Sequence, residues 1–415
     1  EIGGTVQTES LDISSIVAGV PIGTCDMRAG LSATLAEDGP DVRIDSLHVD
    51  RLNALGYDYT GLSAAGTYSQ EAFNGRIVCS DPNLNFLFQG IFTLSSKTNN
   101  ALYKFYANLG YADLHALNID KRGTSKVSFT TQANFTRVSG EDIIGNIDVN
   151  DISLEDDHGI HNIGDIEISS HARNDMNRVK FASSFADISY VGSKFFASFM
   201  RDLQTVTTKK ELPSLYSDPG STWDGNRYDL SFRFHDTKDL LSFIAPGAYI
   251  ADSTALTLSI GNDGAMEAKL KSGRLAYKDK YLKGIDLRID NSGKQLKGIL
   301  NAGEVSAAPI LAKSCNLQIL ADNDSIGLGF RYDNESELAN RGEIILNGNI
   351  YRDDKDSLAV RAGFLPSYIY LKSNLWKIAS NDIDIHKERA KVDSLAIIGN
   401  GQTILLDGGW SASQT

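Results

Sequence analysis

The chain has little cysteine and little proline. Its three cysteines, Cys25, Cys79 and Cys315, are widely spaced and odd in number, which excludes a dense disulfide framework and leaves no paired-Cys zinc motif. With 8 prolines in 415 residues, the long patterned stretches contain almost none, so most strands can pair on both sides. No run approaches the roughly 20 apolar residues that a membrane-spanning helix needs, and no charged and apolar leader stands at the start. Basic residues are outnumbered, 40 against 53 acidic. The resulting charge of -13 would repel a phosphate backbone, so no nucleic acid is expected as a partner.

Signatures of catalysis are missing too. There is no Gly-x-Ser-x-Gly elbow, no His-Glu-x-x-His and no phosphate-binding loop, and carboxylates are too frequent for any pair to stand out as a dyad. No catalytic residue and no cofactor can be named. The chain should nevertheless fold, because 41% hydrophobic and 22% charged residues lie far from the composition of disorder. It starts without Met and stops shortly after a strand-like run, which suggests a segment of a longer polypeptide whose anchor lies elsewhere.

What is present is alternation. Tyr228, Leu230, Phe232 and Phe234 alternate with polar neighbours, as do Leu256, Leu258 and Ile260, then Ile285, Leu287 and Ile289, then Ile326, Leu328, Phe330 and Tyr332. A period of two puts one residue set on each face of a strand. Asn262-Asp263-Gly264, Asn291-Ser292-Gly293, Asn347-Gly348-Asn349 and Asp407-Gly408-Gly409 supply the turn chemistry of hairpins between such runs. The expected fold class is all-β and antiparallel, and no fixed repeat length points to a propeller or a regular β-helix.

Two stretches break the period. Phe195, Phe196, Phe199, Met200 and Leu203 recur at helical spacing, and Leu240, Leu241, Phe243 and Ile244 form a second stripe, with Asp236 or Thr237 as N-cap and Pro246-Gly247 as the stop. Between them, 205–226 holds Pro213, Pro219 and the Lys209-Lys210 pair, and reads as an exposed loop. The expected organisation is a first β segment, 1–204, ending in the amphipathic helix, then this loop, then a second β segment, 227–415, continuous with the first. With 17 Phe and 16 Tyr but only one or two short helices, something other than helices must cover the apolar face.

Asp156, Asp157, His158 and His161, with His171 beyond, are the densest set of possible metal ligands, but their spacing matches no closed zinc pattern. They read as a polar turn, and no metal is expected. Asp322-Asn323-Asp324 and Asp353-Asp354-Lys355-Asp356 lack the Gly and terminal Glu of a calcium loop and read as hairpin tips.

A succession of motifs carries a family resemblance. Gly56-Tyr57-Asp58-Tyr59 is followed by Gly66-Thr67-Tyr68, Phe73-Asn74-Gly75, Asp81-Pro82-Asn83, Phe88-Gln89-Gly90 and Tyr111-Ala112-Asp113-Leu114. Later come Asp224-Gly225-Asn226-Arg227-Tyr228, Trp376-Lys377-Ile378 and Gln402-Thr403-Ile404 running into Leu406-Asp407-Gly408-Gly409. In order and number this resembles an internal segment of the TamB/AsmA-like family, translocation and assembly module TamB, of the Bacteroidetes type.

The resemblance implies a long, curved and rolled antiparallel sheet, a β-taco, with an apolar groove that conducts phospholipid between the membranes of a diderm envelope. It further implies a periplasmic location, an inner-membrane anchor and an outer-membrane barrel of the BamA/TamA type as partner, both engaged through regions outside this segment. The groove would be lined by Phe86, Phe88, Tyr228, Leu230, Phe232, Phe234 and Leu256. Leu258, Ile260, Ile285, Leu287, Ile289, Leu328 and Phe330 would continue it. Asp-Ser-apolar triplets place Ser46, Ser325, Ser357 and Ser394 in what resembles the O-glycan acceptor motif of periplasmic Bacteroidetes proteins; an Asx-turn entering a strand is the preferred reading. Two other functions fit the alternation alone: a β-sandwich binding or adhesion module, and a carbohydrate-active enzyme on a β-scaffold using Trp223, Trp376 or Trp410.

Overall fold

Alternating runs bounded by Gly, Asn, Asp and Ser become hairpins, and the computed structural model is built of them almost throughout, with strands making up 71%. It describes residues 2–15, 22–36, 39–94, 101–139, 142–216, 223–293, 295–307, 310–354 and 356–412. The all-β, antiparallel expectation holds. Three short helices are described: α1 (Phe196–Val206), the single turn α2 (Thr208–Glu211) and α3 (Lys238–Ile244). The chain divides into two units, 1–174 with 178–186 and 239–246, and 175–177 with 187–238 and 247–415.

In the first unit, strands from Ile2–Asp12 to Gly159–Arg173 pair with their neighbours along the chain in an up-and-down meander. Its centre is aromatic. Phe73, Phe88 and Ala107 are buried, and Phe86, Phe92 and Phe105 pack against them, with the Phe88 ring 5.2 Å from both Phe92 and Phe105. Gly75 sits opposite Gly66 and Gly90 in one cross-strand row. A Cβ on Gly75 would lie 2.6 Å from the Phe73 ring, so the ring occupies the space that a side chain would need.

The motif series finds its physical reason here. The Asp81 carboxylate is buried and accepts four hydrogen bonds: from the Tyr57 hydroxyl at 2.6 Å, the Thr60 amide at 2.8 Å, the Thr60 hydroxyl at 2.9 Å and the Asn83 amide at 2.8 Å. The Tyr111 hydroxyl donates to the Pro82 carbonyl at 2.8 Å. Gly-Tyr-Asp-Tyr, Asp-Pro-Asn and Tyr-Ala-Asp-Leu are therefore parts of one polar clasp.

In the second unit Tyr228–Phe234 pairs with Ala255–Ile260. Met266–Tyr277, Lys280–Asp290, Leu296–Ala307, Ile310–Asp322, Ser325–Asp333 and Arg341–Arg352 follow in turn, each antiparallel to the one before. The long strand Arg341–Arg352 pairs along one half with Leu358–Phe364 and along the other with Ser367–Leu371.

The described part of 205–226 is not an exposed loop, which corrects the expectation from composition. α1 runs to Val206, α2 follows, and Pro213 opens a 3-10 turn, Pro213–Leu215, a position where its missing N–H costs nothing. Val206, Glu211 and Leu212 are buried, Leu212 against Ala321 and Ile350. Ser214 donates from both its amide and its hydroxyl to Asp324, at 2.8 and 2.9 Å. Two apolar anchors, Val206 and Leu212, among polar residues are too sparse for a periodicity, so only the folded sheet reveals that this segment straps across the strand ends. Pro219 and the rest of 217–222 lie outside the described residues.

Candidate functional site: an apolar face on the second unit

Register converts the alternation into rows. Phe232, Leu256, Leu270, Leu287, Leu300, Leu317, Phe330 and Ile344 stand directly opposite one another across eight successive strands. One step along the same face, Leu230, Leu258, Ala268, Ile289, Gly298, Ile319, Leu328 and Leu346 form a parallel row. Strands lie about 4.8 Å apart, so the rows extend for roughly 35 Å. The reverse face is mainly polar: Lys271, Asp286, Asn301, Asn316, Arg331 and Glu343 are likewise mutually opposite, with Ile299, Leu320 and Ile345 among them.

Burial distinguishes this face from a packed core. All eight members of the first row are half-buried, and Ile319 in the second is exposed. A filled sandwich would shield such residues almost completely.

The face is closed at both strand ends: beyond the first row Ser272, Ile285, Ala302 and Cys315 are buried, and at the other end α1 covers it. Tyr228 is 0% exposed, enclosed by Tyr190 and by Phe199 of α1, whose ring centre lies 5.5 Å from that of Tyr228. Asp202 of α1 accepts hydrogen bonds from the Tyr228 hydroxyl and from Asn226, the latter at 2.7 Å. Burial and this carboxylate push the Tyr228 phenol far above its ordinary value, so it remains a donor. Asn291 continues the seam, donating to the Val206 carbonyl and accepting from the Met266 amide at 2.6 Å.

The sequence-derived lining divides accordingly. Phe232, Leu256, Leu258, Leu287, Ile289, Leu328 and Phe330 lie on the half-open face, and Phe234 is half-buried on the same side of its strand. Tyr228, Leu230, Ile260 and Ile285 share that side but are buried, so they support the face rather than line open space. Phe86 and Phe88 belong to the first unit's aromatic cluster, where Phe88 is buried. Leu270, Leu300, Leu317, Ile344 and Leu346 complete the rows and were not among the expected residues. Their signal was the same alternation, as in Lys269-Leu270-Lys271, blurred at Ile299-Leu300 and Ile344-Ile345-Leu346 by adjacent apolar residues.

The histidine cluster is structural. His161 contacts Asp156 at 3.1 Å through Nε2 and the Ser242 hydroxyl at 3.2 Å through Nδ1. It thereby helps seat α3, whose Leu240 and Phe243 pack on Leu154 and Ile163. The Arg122 guanidinium lies 4.3 Å over the Phe243 ring, and beside it Asp120 is held well below the usual carboxylate range. His158 occupies a turn, and no group of three possible metal ligands occurs among the described residues. The three cysteines are free and buried, and burial pushes each thiol up, away from thiolate chemistry.

Of the Asp-Ser serines, Ser46, Ser325 and Ser394 are exposed and Ser357 is half-buried. Ser394 takes a left-handed φ of 58° and donates to Asp393 at 2.9 Å, an Asp-Ser contact at a strand irregularity. If these serines carry glycan in their native host, intact mass should exceed that of the bare chain, with the added mass lost on Ser46→Ala, Ser325→Ala and Ser394→Ala. A mass equal to the bare chain removes the idea.

Comparison with protein-family models, with curated proteins and with solved structures found no match to this chain.

Proposed function

We propose that the apolar face of the second unit is a trough for phospholipid acyl chains, and that the chain is part of a periplasmic, bridge-like scaffold. This scaffold would serve lipid transfer between inner and outer membranes and so outer-membrane biogenesis, as the TamB/AsmA-like resemblance suggests. The carrying observation is the pair of continuous apolar rows, half-open on one face and backed by a mainly polar one. Anchoring in the inner membrane and engagement of a BamA/TamA-type barrel would involve regions outside this chain.

The physics is non-specific by nature. Each acyl methylene removed from water gains about 0.8 kcal/mol, and a strip of leucines offers nearly the same contact at every step. A chain can therefore slide without crossing a large barrier, and no reaction is needed. The mainly polar reverse face keeps the opposite side wetted.

The test is to purify the protein gently from a diderm host and combine native mass spectrometry with lipid extraction. Phospholipid bound at defined stoichiometry is the expected result. A lipid-free monomer that also takes up no added phospholipid would contradict the trough and return the second unit to a binding-module reading.

A further inference from the structure

Hairpin tips are ordinarily polar, because Gly, Asn, Asp and Ser satisfy the turn backbone and face water. The second unit follows that rule at one end of its strands, where the turns run through Asn262 and Asp263, Ser292 and Gly293, and Asp322 and Asn323. At these tips, Leu358 aside, no large apolar residue is exposed among the described residues.

The opposite end reverses it. Tyr277 is 54% exposed, Ile310 66% and Leu338 58%, and Tyr249 and Leu371 are also exposed. Hydrogen bonds join neighbouring segments along this margin. The Lys278 amide donates to the Gly247 carbonyl at 2.7 Å, Asn334 donates to the Leu311 carbonyl at 3.1 Å, and the Ser373 amide donates to the Ala339 carbonyl at 2.8 Å. At about 4.8 Å per strand the margin from Tyr277 to Leu371 spans on the order of 25 Å. Scattered exposed apolar side chains need no explanation, but a row along one set of turns does.

We infer that this margin docks on the interfacial layer of a phospholipid bilayer. Tyrosine beside lysine is the pairing that suits that layer, an amphipathic ring at headgroup depth and a cation reaching outward. Here the Lys278 ammonium lies 5.3 Å from the Tyr277 ring centre, Lys280 is exposed on the same turn, and Lys372 is exposed on the tip that holds Leu371. Asp279, Glu335 and Glu337 lie among them, so shallow insertion of Ile310, Leu338 and Leu371 drives the contact and net charge contributes little. A protein partner needs roughly 800 Å² on each side with a packed centre, which a file of separate tips does not offer. Tips two strands apart can enter between headgroups one by one. The inference stands without the trough.

The experiment is co-flotation of the full chain with vesicles of phosphatidylethanolamine and phosphatidylglycerol. The wild-type chain should float. The combined variant Ile310→Ser, Leu338→Ser and Leu371→Ser should lose about tenfold or more in partitioning, since each side chain gives up apolar burial. Met200→Ser, on the exposed side of α1, should change nothing. Lys278→Glu, at an exposed turn where misfolding is not at issue, should weaken binding severalfold. Wild-type protein that does not float, or a triple variant that floats like wild type, overturns the inference. So does self-association abolished by the same substitutions without any flotation, which would assign the margin to protein contact. Extracted lipid unchanged in the triple variant would separate this margin from the trough.

Discussion

Replacing Asp81 with alanine should destabilise the first unit by about 3 kcal/mol or more, the largest effect expected of any polar substitution in that unit. The carboxylate is 3% exposed and gathers the Tyr57 hydroxyl, the Thr60 amide and hydroxyl and the Asn83 amide. Alanine removes the acceptor and leaves the donors of the half-buried Tyr57, Thr60 and Asn83 without that partner, so the cost includes part of their desolvation as well as the lost bonds. Asparagine keeps one acceptor oxygen and should fall between. Urea unfolding followed by fluorescence gives the shift in midpoint; a change worth less than about 1 kcal/mol would show that the clasp is ornamental.

The same group predicts acid sensitivity. Burial alone would raise the Asp81 carboxyl, but its hydrogen bonds from Tyr57, Asn83 and Thr60 outweigh it and hold the group below the ordinary carboxylate value. A carboxyl depressed in the folded state stabilises fully above its unfolded value, about pH 3.9, and that contribution disappears as pH falls through the folded value. Stability of the wild type should therefore drop more steeply below about pH 4 than that of Asp81→Asn. Parallel pH profiles for the two proteins would remove Asp81 from the account.

A second contrast tests the apolar face itself. Leu300→Asp lies at the middle of the first row on a half-open strand, whereas Tyr228→Asp lies under α1 with no exposure at all. The buried substitution should unfold the second unit, because it destroys the contact with Phe199 and places a carboxylate beside Asp202, a cost above about 4 kcal/mol. The half-buried one should cost about 1–2 kcal/mol, preserve the circular dichroism spectrum and abolish bound phospholipid. Phe232→Asp, at the end of the row, should reduce lipid less than Leu300→Asp. If Leu300→Asp unfolds like Tyr228→Asp, the face is a filled core; if it folds and retains lipid, the trough is elsewhere.

The period-two pattern determined much by itself. Strand after strand was legible, because a residue at i and i+2 shares a face in any sheet. The hairpin turns and the stripes of α1 and α3 were legible for the same reason: their chemistry is local. The motif series around Tyr57, Asp81 and Asn83 was visible as well, although as a pattern without a cause.

Only the tertiary structure decided which apolar residues are open and which are sealed. Tyr228 and Phe232 belong to one alternating run, yet α1 covers the first and not the second, and that depends on where a segment far along the chain is strapped. Register did the rest. Alternation places Leu270 on one face of its strand, but opposition to Leu256 and Leu287 is a non-local fact set by hairpin geometry, and a slip of one residue would have put it on the wet side. The fate of 205–216 was likewise invisible, since two apolar anchors on a polar segment acquire meaning only from the sheet they touch.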